Sequence, residues 1–198
     1  MASAVTIRIL LASIGNPAPY TNTLHSTGHL VLSRIQNLLS YPPFSKSRPL
    51  ASGLLSHSNE DVFTLWMSPT LMNVSGPAVV KAYNTWKRDN SLSGEADAKK
   101  LLIILHDELE LPLGQVKLKK GATSHRGHNG LRSIKETMRG DDYLKLGIGI
   151  GRPTSREKGD VANFVLRKMG TAEREKVKNA ADEAVRIVRE IAEGRRKI

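Results

Sequence analysis

Short apolar runs alternate along this chain with longer stretches whose apolar positions recur at helical spacing. Residues 7–14 form an apolar run that predicts a buried strand, and "HLVLSRIQNLLS" (29–40) places Leu30, Val31, Ile35, Leu38 and Leu39 on one helical face. Residues 41–61 are rich in Pro and Ser and read as irregular, with room for a short edge strand. "DVFTLWMS" (61–68) is β-branched and aromatic, as a strand requires, and "SGPAVVKAYNTWKRD" (75–89) predicts a helix with Pro77 in its first turn. The polar stretch "NSLSGEADAKK" (90–100) then leads to the most apolar strand, "LLIIL" (101–105). A segment of hairpin character (110–130) precedes a helix, "LRSIKETM", and a strand, "YLKLGIGIGRP", that ends at Gly-Arg-Pro. "DVANFVLRKM" (160–169) is short enough to close over a site. From Thr171, as N-cap, Val177, Ala181, Ala184, Val185, Val188 and Ile191 mark one face of a C-terminal amphipathic helix. Strand–helix alternation without a repeat or linker argues for one α/β domain over residues 1–198, built around a buried sheet.

Composition narrows the chemistry. The chain has 198 residues, enough for one ordinary core, and no apolar run approaches the roughly 20 residues of a membrane span. Cysteine is absent, which excludes disulfides, thiol nucleophiles and thiolate-held metals. The first residues, "MASAVTIRILLASIG", lack a basic segment ahead of the apolar run and read as part of the fold rather than as a targeting peptide. Charge is more telling. The formal net charge is +11, and residues 113–152 hold nine Lys/Arg against three acids. More than half the excess thus lies in one-fifth of the chain, a focus suited to a polyanion such as a phosphate backbone.

Ligands of open α/β sheets gather beyond the C-terminal ends of the strands, and chemically capable residues recur there. Asn16 and His25 follow the first strand, Met72 and Asn73 the second, His106, Asp107 and Glu108 the third. "HRGHNG" (125–130) lies beyond the basic segment. A lone histidine in a polar loop is ordinarily a solvated surface residue; His25 gains meaning from its company. Placed just before a helix, its imidazole is expected to be kept neutral by the positive helix end and so to accept a proton. Asp107, delivered by a rigid strand, is the candidate to fix its tautomer. With no Cys and no Gly-x-Ser-x-Gly elbow, water is the nucleophile. Asn16, Asn73 and Asn129 carry amides suited to gripping a peptide or holding a carbonyl oxygen. Two other readings stand beside this one: a metal-dependent hydrolase using His125, His128 and Asp107, although no His-Glu-x-x-His is present, and a catalytically idle RNA-binding domain.

Four separated motifs carry a resemblance that covers nearly the whole chain. "GNPAPYTNTLH" (15–25), "PTLMNVSG" (69–76), "HDELELPLGQVKLK" (106–119) and "GHNGLRSI" (127–134) occur in the order found in bacterial-type peptidyl-tRNA hydrolases, which the chain resembles. The resemblance implies a mixed twisted β-sheet flanked by helices, a monomer, and no metal or other cofactor. It also implies hydrolysis of the ester joining a peptide to the terminal ribose of tRNA, in the cytoplasm or in a mitochondrion. On matching positions, His25 is the base and Asp107 its orienting partner. Asn16 lies in the catalytic pocket, Asn73 and Asn129 hold the substrate backbone and the water, and Tyr20, Met72 and His128 line the cleft. Lys119 matches a phosphate contact, and Lys117, Arg126 and Arg132 share its basic stretch as candidate tRNA contacts. Four departures are local. The approach to "GHNG", here "GATSHRGHNG" (121–130), is longer and bulkier than the family's. The Asn16–Tyr20 turn is one residue short, Leu24 and Ser26 flank the histidine, and Gly147 stands where a basic residue is expected, with Lys145, Arg126 and Arg152 available to compensate.

Overall fold

The computed structural model describes residues 7–89 and 98–198; the first six residues and most of the polar stretch 90–100 lie outside them. In chain order the elements are β1 (Ile7–Ser13), α1 (Thr27–Leu38), β2 (Ser45–Ser47), β3 (Gly53–His57), β4 (Phe63–Met67), α2 (Ser75–Asp89), β5 (Lys99–Glu108), β6 (Val116–Lys120), α3 (Asn129–Met138), β7 (Leu144–Gly149), α4 (Lys158–Leu166) and α5 (Thr171–Ala192). Single 3-10 turns, Leu24–Ser26 and Met72–Val74, run directly into α1 and α2.

Among the described residues, seven strands share one mixed sheet in the order β2-β3-β4-β1-β5-β7-β6. β1 lies parallel between β4 and β5, and β7 is parallel to β5. β2, β3 and β6 are antiparallel to their neighbours. The central strands are apolar on both faces because helices cover both. Ile9, Leu11, Ile103 and Leu105 pack under Val31, Leu32 and Ile35 of α1 and under Val177, Ala181, Ala184 and Val188 of α5. Leu10, Ala12, Ile14, Leu102 and Ile104 meet Val79, Ala82 and Trp86 of α2 and Leu131 and Ile134 of α3. The C-terminal amphipathic helix thus buries the stripe its period marks.

Four expectations need correcting. Residues 41–61 are more ordered than their Pro and Ser content suggests, since β2 and β3 form an antiparallel pair there. The basic segment does not fold back on the strand before it. β6 pairs instead with β7, on the far side of α3, and β7 separates it from β5. β5 outlasts its apolar run, so His106, Asp107 and Glu108 are strand residues with fixed alternating directions rather than loop residues. Finally, Gly170, not Thr171, is the N-cap of α5; the Glu173 carboxylate accepts from the Gly170 N–H at 2.9 Å and also pairs with Arg167.

Candidate active site

The loops that leave the C-terminal ends of β1, β4, β5 and β7 converge with the N-terminus of α3 on a cavity of about 790 Å3. Its floor is set by the close seating of α1. A Cβ on Gly28 would lie 2.5 Å from the Leu105 carbonyl oxygen and 2.8 Å from that of Ile14, so only glycine lets the helix start approach β1 and β5 this far. The preceding 3-10 turn then delivers His25 to the end of β5.

There the Nδ1–H of His25 donates to the Asp107 carboxylate, 3.0 Å from Oδ1 and 2.9 Å from Oδ2. The carboxylate is 2 % exposed and the imidazole 14 %. Asp107 holds a second histidine as well. His128, the N-cap of α3, accepts the Leu131 N–H at Nδ1 (3.3 Å), which leaves Nε2–H to donate to Asp107 Oδ1 at 3.0 Å. Burial would raise the Asp107 carboxyl, but the facing charges and hydrogen bonds of His25 and His128 hold it well below the usual carboxylate range. It is therefore an ionised acceptor, and His25 is locked in the tautomer with its Nε2 lone pair free.

The expected helix-end effect on His25 does not prevail. Burial does favour the neutral ring, but the Asp107 charge and hydrogen bond outweigh it, so the pKa is raised above 6.5. A full negative charge in contact exceeds the partial charge of a helix start.

Asn16 is buried at the cavity wall. Its Oδ1 accepts the Met72 N–H at 2.8 Å, which leaves the amide N–H groups to serve a ligand, and its own main-chain N–H donates to Ser26 Oγ at 3.0 Å. Ser26, one of the chain's departures from the family pattern, also donates to the Tyr20 carbonyl at 2.8 Å. It thereby ties the short Asn16–Tyr20 turn to the residue beside His25. Met72, Asn73, His128 and Asn129 line the cavity as expected. Tyr20 does not: its side chain is 43 % exposed and lies outside the lining, and its contribution is the carbonyl.

Of the four proposed phosphate contacts, Lys119, Arg126 and Arg132 line the cavity, whereas Lys117 is exposed on β6 beyond it. Lys119 pairs with Glu108 and Arg152 with Glu110, so part of the basic charge is already engaged. Lys145 is buried to 2 % exposure, and its ammonium donates to the carbonyls of Thr123 and Ser124, fastening the loop that leads to His128. Nothing in the sequence distinguished that buried lysine from its surface neighbours. Other lining residues that the motifs did not single out are Arg156 and Lys158 at the entrance to α4, and Val161, Ala162, Val165 and Leu166 along it. The short helix does border the site.

His125, one arm of the metal reading, stands apart; its Nδ1 accepts from the Gly127 N–H at 3.2 Å. Among the described residues, the group close enough to share an ion is His25, Asp107 and His128, with ligand atoms within 4.8 Å of one another. Those atoms are already joined by N–H···O bonds, and His128 spends its remaining nitrogen on its own helix. The donor set suits a proton acceptor better than a cation.

Comparison with known proteins gives a consistent result. Residues 10–198 match the family model described as peptidyl-tRNA hydrolase. A peptidyl-tRNA hydrolase of Citrifermentans bemidjiense is 38 % identical over 177 residues, covering 89 % of this chain and 87 % of that protein. A probable peptidyl-tRNA hydrolase of Schizosaccharomyces pombe is 36 % identical over 170 residues, with 85 % and 75 % covered. The crystal structure of peptidyl-tRNA hydrolase from Acinetobacter baumannii superposes with a TM-score of 0.74 at 28 % identity, covering 98 % of this chain and 93 % of that one.

Proposed function

Since the chain belongs to the peptidyl-tRNA hydrolase family and cleaves peptidyl-tRNA, we propose that His25 is its general base and that Asp107 and His128 together set that base. The observation that carries this assignment is the bond from His25 Nδ1–H to a carboxylate whose other contact is His128. Water attacks the ester carbonyl carbon while Nε2 of His25 takes a proton from it. The charge that forms on the imidazolium is met by Asp107, which stays ionised. Amide N–H groups of Asn16, Asn73 and Asn129 supply donors for the oxyanion and the peptide main chain. When the tetrahedral intermediate collapses, the ribose oxygen leaves and receives the proton from His25, giving free tRNA and a peptide carboxylate.

The basic residues around the cavity act on the tRNA half of the substrate. Contacts to phosphates carry no base preference, which suits an enzyme that must accept every tRNA. Arg126 and Arg132 are the strongest candidates, because Lys119 must leave or share Glu108 to reach a phosphate. Among the described residues no helix is long and apolar enough to cross a membrane. We place the enzyme, acting as a monomer without a metal, where tRNA serves translation: the cytoplasm, or a mitochondrion.

Release of peptide from N-acetylaminoacyl-tRNA, with and without a chelator, tests the assignment. The expected result is activity that survives chelation and falls by orders of magnitude in His25→Ala, with tRNA binding kept. Full activity in His25→Ala would overturn the mechanism; loss on chelation would return the metal reading, and a wild type that binds tRNA without releasing peptide would favour the idle RNA-binding domain.

A further inference from the structure

One turn beyond His25, α1 carries another histidine that the reaction does not use. Nδ1 of His29 lies 2.8 Å from Ser13 Oγ at the end of β1. The ring also hydrogen-bonds the main chain of Ser68, the residue that follows β4. Ser68 N–H in turn donates to the Ser13 carbonyl at 3.0 Å. These three contacts close a ring across the ends of two neighbouring strands. Burial brings His29 down to about 4, against the pull of the Ser68 hydrogen bond, so the imidazole is neutral wherever the enzyme works. A neutral ring offers one lone pair and one N–H, enough for both partners, with the Ser13 hydroxyl donating to Nδ1.

Directly above the ring, the chain continues from β1 through Gly15 to Asn16, and from β4 to Met72 and Asn73. Gly15 rests on the imidazole; a Cβ there would fall 2.5 Å from Cδ2 and 2.8 Å from Nε2 of His29. At the next level up, Asn16 Oδ1 and the Met72 N–H bridge the same two segments at 2.8 Å. We propose that His29 is a positioning residue for the peptide-binding wall: it props Gly15 and fixes the spacing between the segment bearing Asn16 and the one bearing Met72 and Asn73. The inference rests on the reading above, in which those residues hold the peptide. It assigns His29 a role separate from the proton chemistry, because neither of its partners touches His25 or Asp107.

Three variants test it on N-acetylaminoacyl-tRNA. His29→Phe keeps the ring volume under Gly15 and removes both hydrogen bonds. His29→Asn restores an acceptor near the position of Nδ1. Ser13→Ala removes one bond with little change in packing, and it serves as the readout if His29→Phe does not fold. The expected result for His29→Phe is a KM about tenfold higher, or about 1.4 kcal/mol, with a smaller fall in kcat because the same amides also donate to the oxyanion. Ser13→Ala is expected to raise KM about threefold, and His29→Asn to stay within about threefold of wild type. Inhibition by uncharged tRNA should be unchanged in all three, which localises the loss to the peptide half. An unchanged KM in both His29→Phe and Ser13→Ala overturns the proposal. So does an Asn variant as impaired as the Phe variant, or a loss confined to kcat. If His25→Ala is inactive while these variants behave as wild type, only this inference fails; an active His25→Ala removes the reading beneath it.

Discussion

Replacing Asp107 by Asn keeps the shape of the side chain and removes its charge, and the consequence can be worked from the two bonds it accepts. In the wild type, His25 Nδ1–H and His128 Nε2–H both point at carboxylate oxygens, at 2.9 to 3.0 Å. Both rings reach Oδ1, so an amide oxygen there can accept from both, but the NH2 that replaces Oδ2 then lies 2.9 Å from the His25 Nδ1–H, donor against donor. The His25 ring must turn away or move its proton. If His25 moves it, the proton arrives on Nε2, the atom that must accept one from water. The electrostatic loss adds to this. Unit charges about 4 Å apart attract by about 4 kcal/mol at an effective dielectric of about 20. That stabilisation grows in as His25 becomes cationic in the transition state, so its removal should cost about a thousandfold in kcat/KM. The pH profile supplies a second readout. His25 must be neutral to act, and with its pKa raised by Asp107 the wild-type activity should rise with pH through a midpoint above 6.5. In Asp107→Asn only burial remains, which favours the neutral ring, so the midpoint should move to lower pH. Steady-state release of peptide from N-acetylaminoacyl-tRNA between about pH 5 and 9 reads both quantities. A variant within tenfold of wild type, or one whose acid limb does not move, would refute the reasoning.

Other outcomes follow from the same contacts. Lys119→Ala should weaken tRNA binding more than loss of one phosphate contact, because it leaves the Glu108 carboxylate unpaired among basic residues; Lys119→Ala with Glu108→Gln should recover part of the affinity, and binding curves for uncharged tRNA decide. Arg132→Ala should weaken binding of all tRNAs alike and lower the slope of log affinity against log salt by about 1, and an unchanged slope would remove Arg132 from the interface. Gly28→Ala puts a methyl group 2.5 Å from the Leu105 carbonyl oxygen, so it should cost about 3 kcal/mol or more in urea unfolding and also lower kcat by shifting His25. Glu173→Ala removes the carboxylate that accepts the Gly170 N–H and pairs with Arg167; as the group is partly exposed, the expected cost is about 1 kcal/mol. Because Glu173 is depressed to about 2, its contribution is present above the unfolded value of about 4.3 and lost as pH falls towards 2, so the difference between the two proteins should vanish in acid.

What could be read from the sequence depended on how local each signal was. β1 and β5 announce themselves as continuous apolar runs because both faces are covered, and α5 shows its stripe because only one face is. His25 and Asp107 could be paired because one follows the first strand and the other ends the most apolar one, and ligands gather at such strand ends. A short edge strand was allowed for in 41–61, but the pair β2 and β3 could not be placed, because short strands among Pro and Ser residues leave no period to detect. The partner of β6 escaped for a different reason: five residues say that a strand exists but not which strand it joins, and β7 lies beyond an intervening helix. The nitrogen and oxygen donors of His125, His128 and residues 106–108 suggested a metal site, although their spacing matched no closed pattern, yet α3 turns His128 to Asp107 and leaves His125 on its loop. His29 was invisible as anything but a helix residue, since its partners come from two strand ends and are remote in the chain.

The sheet ends, at both margins, in a short strand that carries lysine. β2 is Ser-Lys-Ser, and β6 holds Lys117, Lys119 and Lys120 within five residues. An open sheet edge invites another strand to add to it, and lysine is among the commonest defences, because pairing two copies would bring like charges together and strip them of water. This gives Lys117 a purpose that does not require it to face the cavity. The same ammonium groups proposed to draw the tRNA backbone to the enzyme make its edges poor templates for aggregation, a protection that should weaken when salt screens the charges.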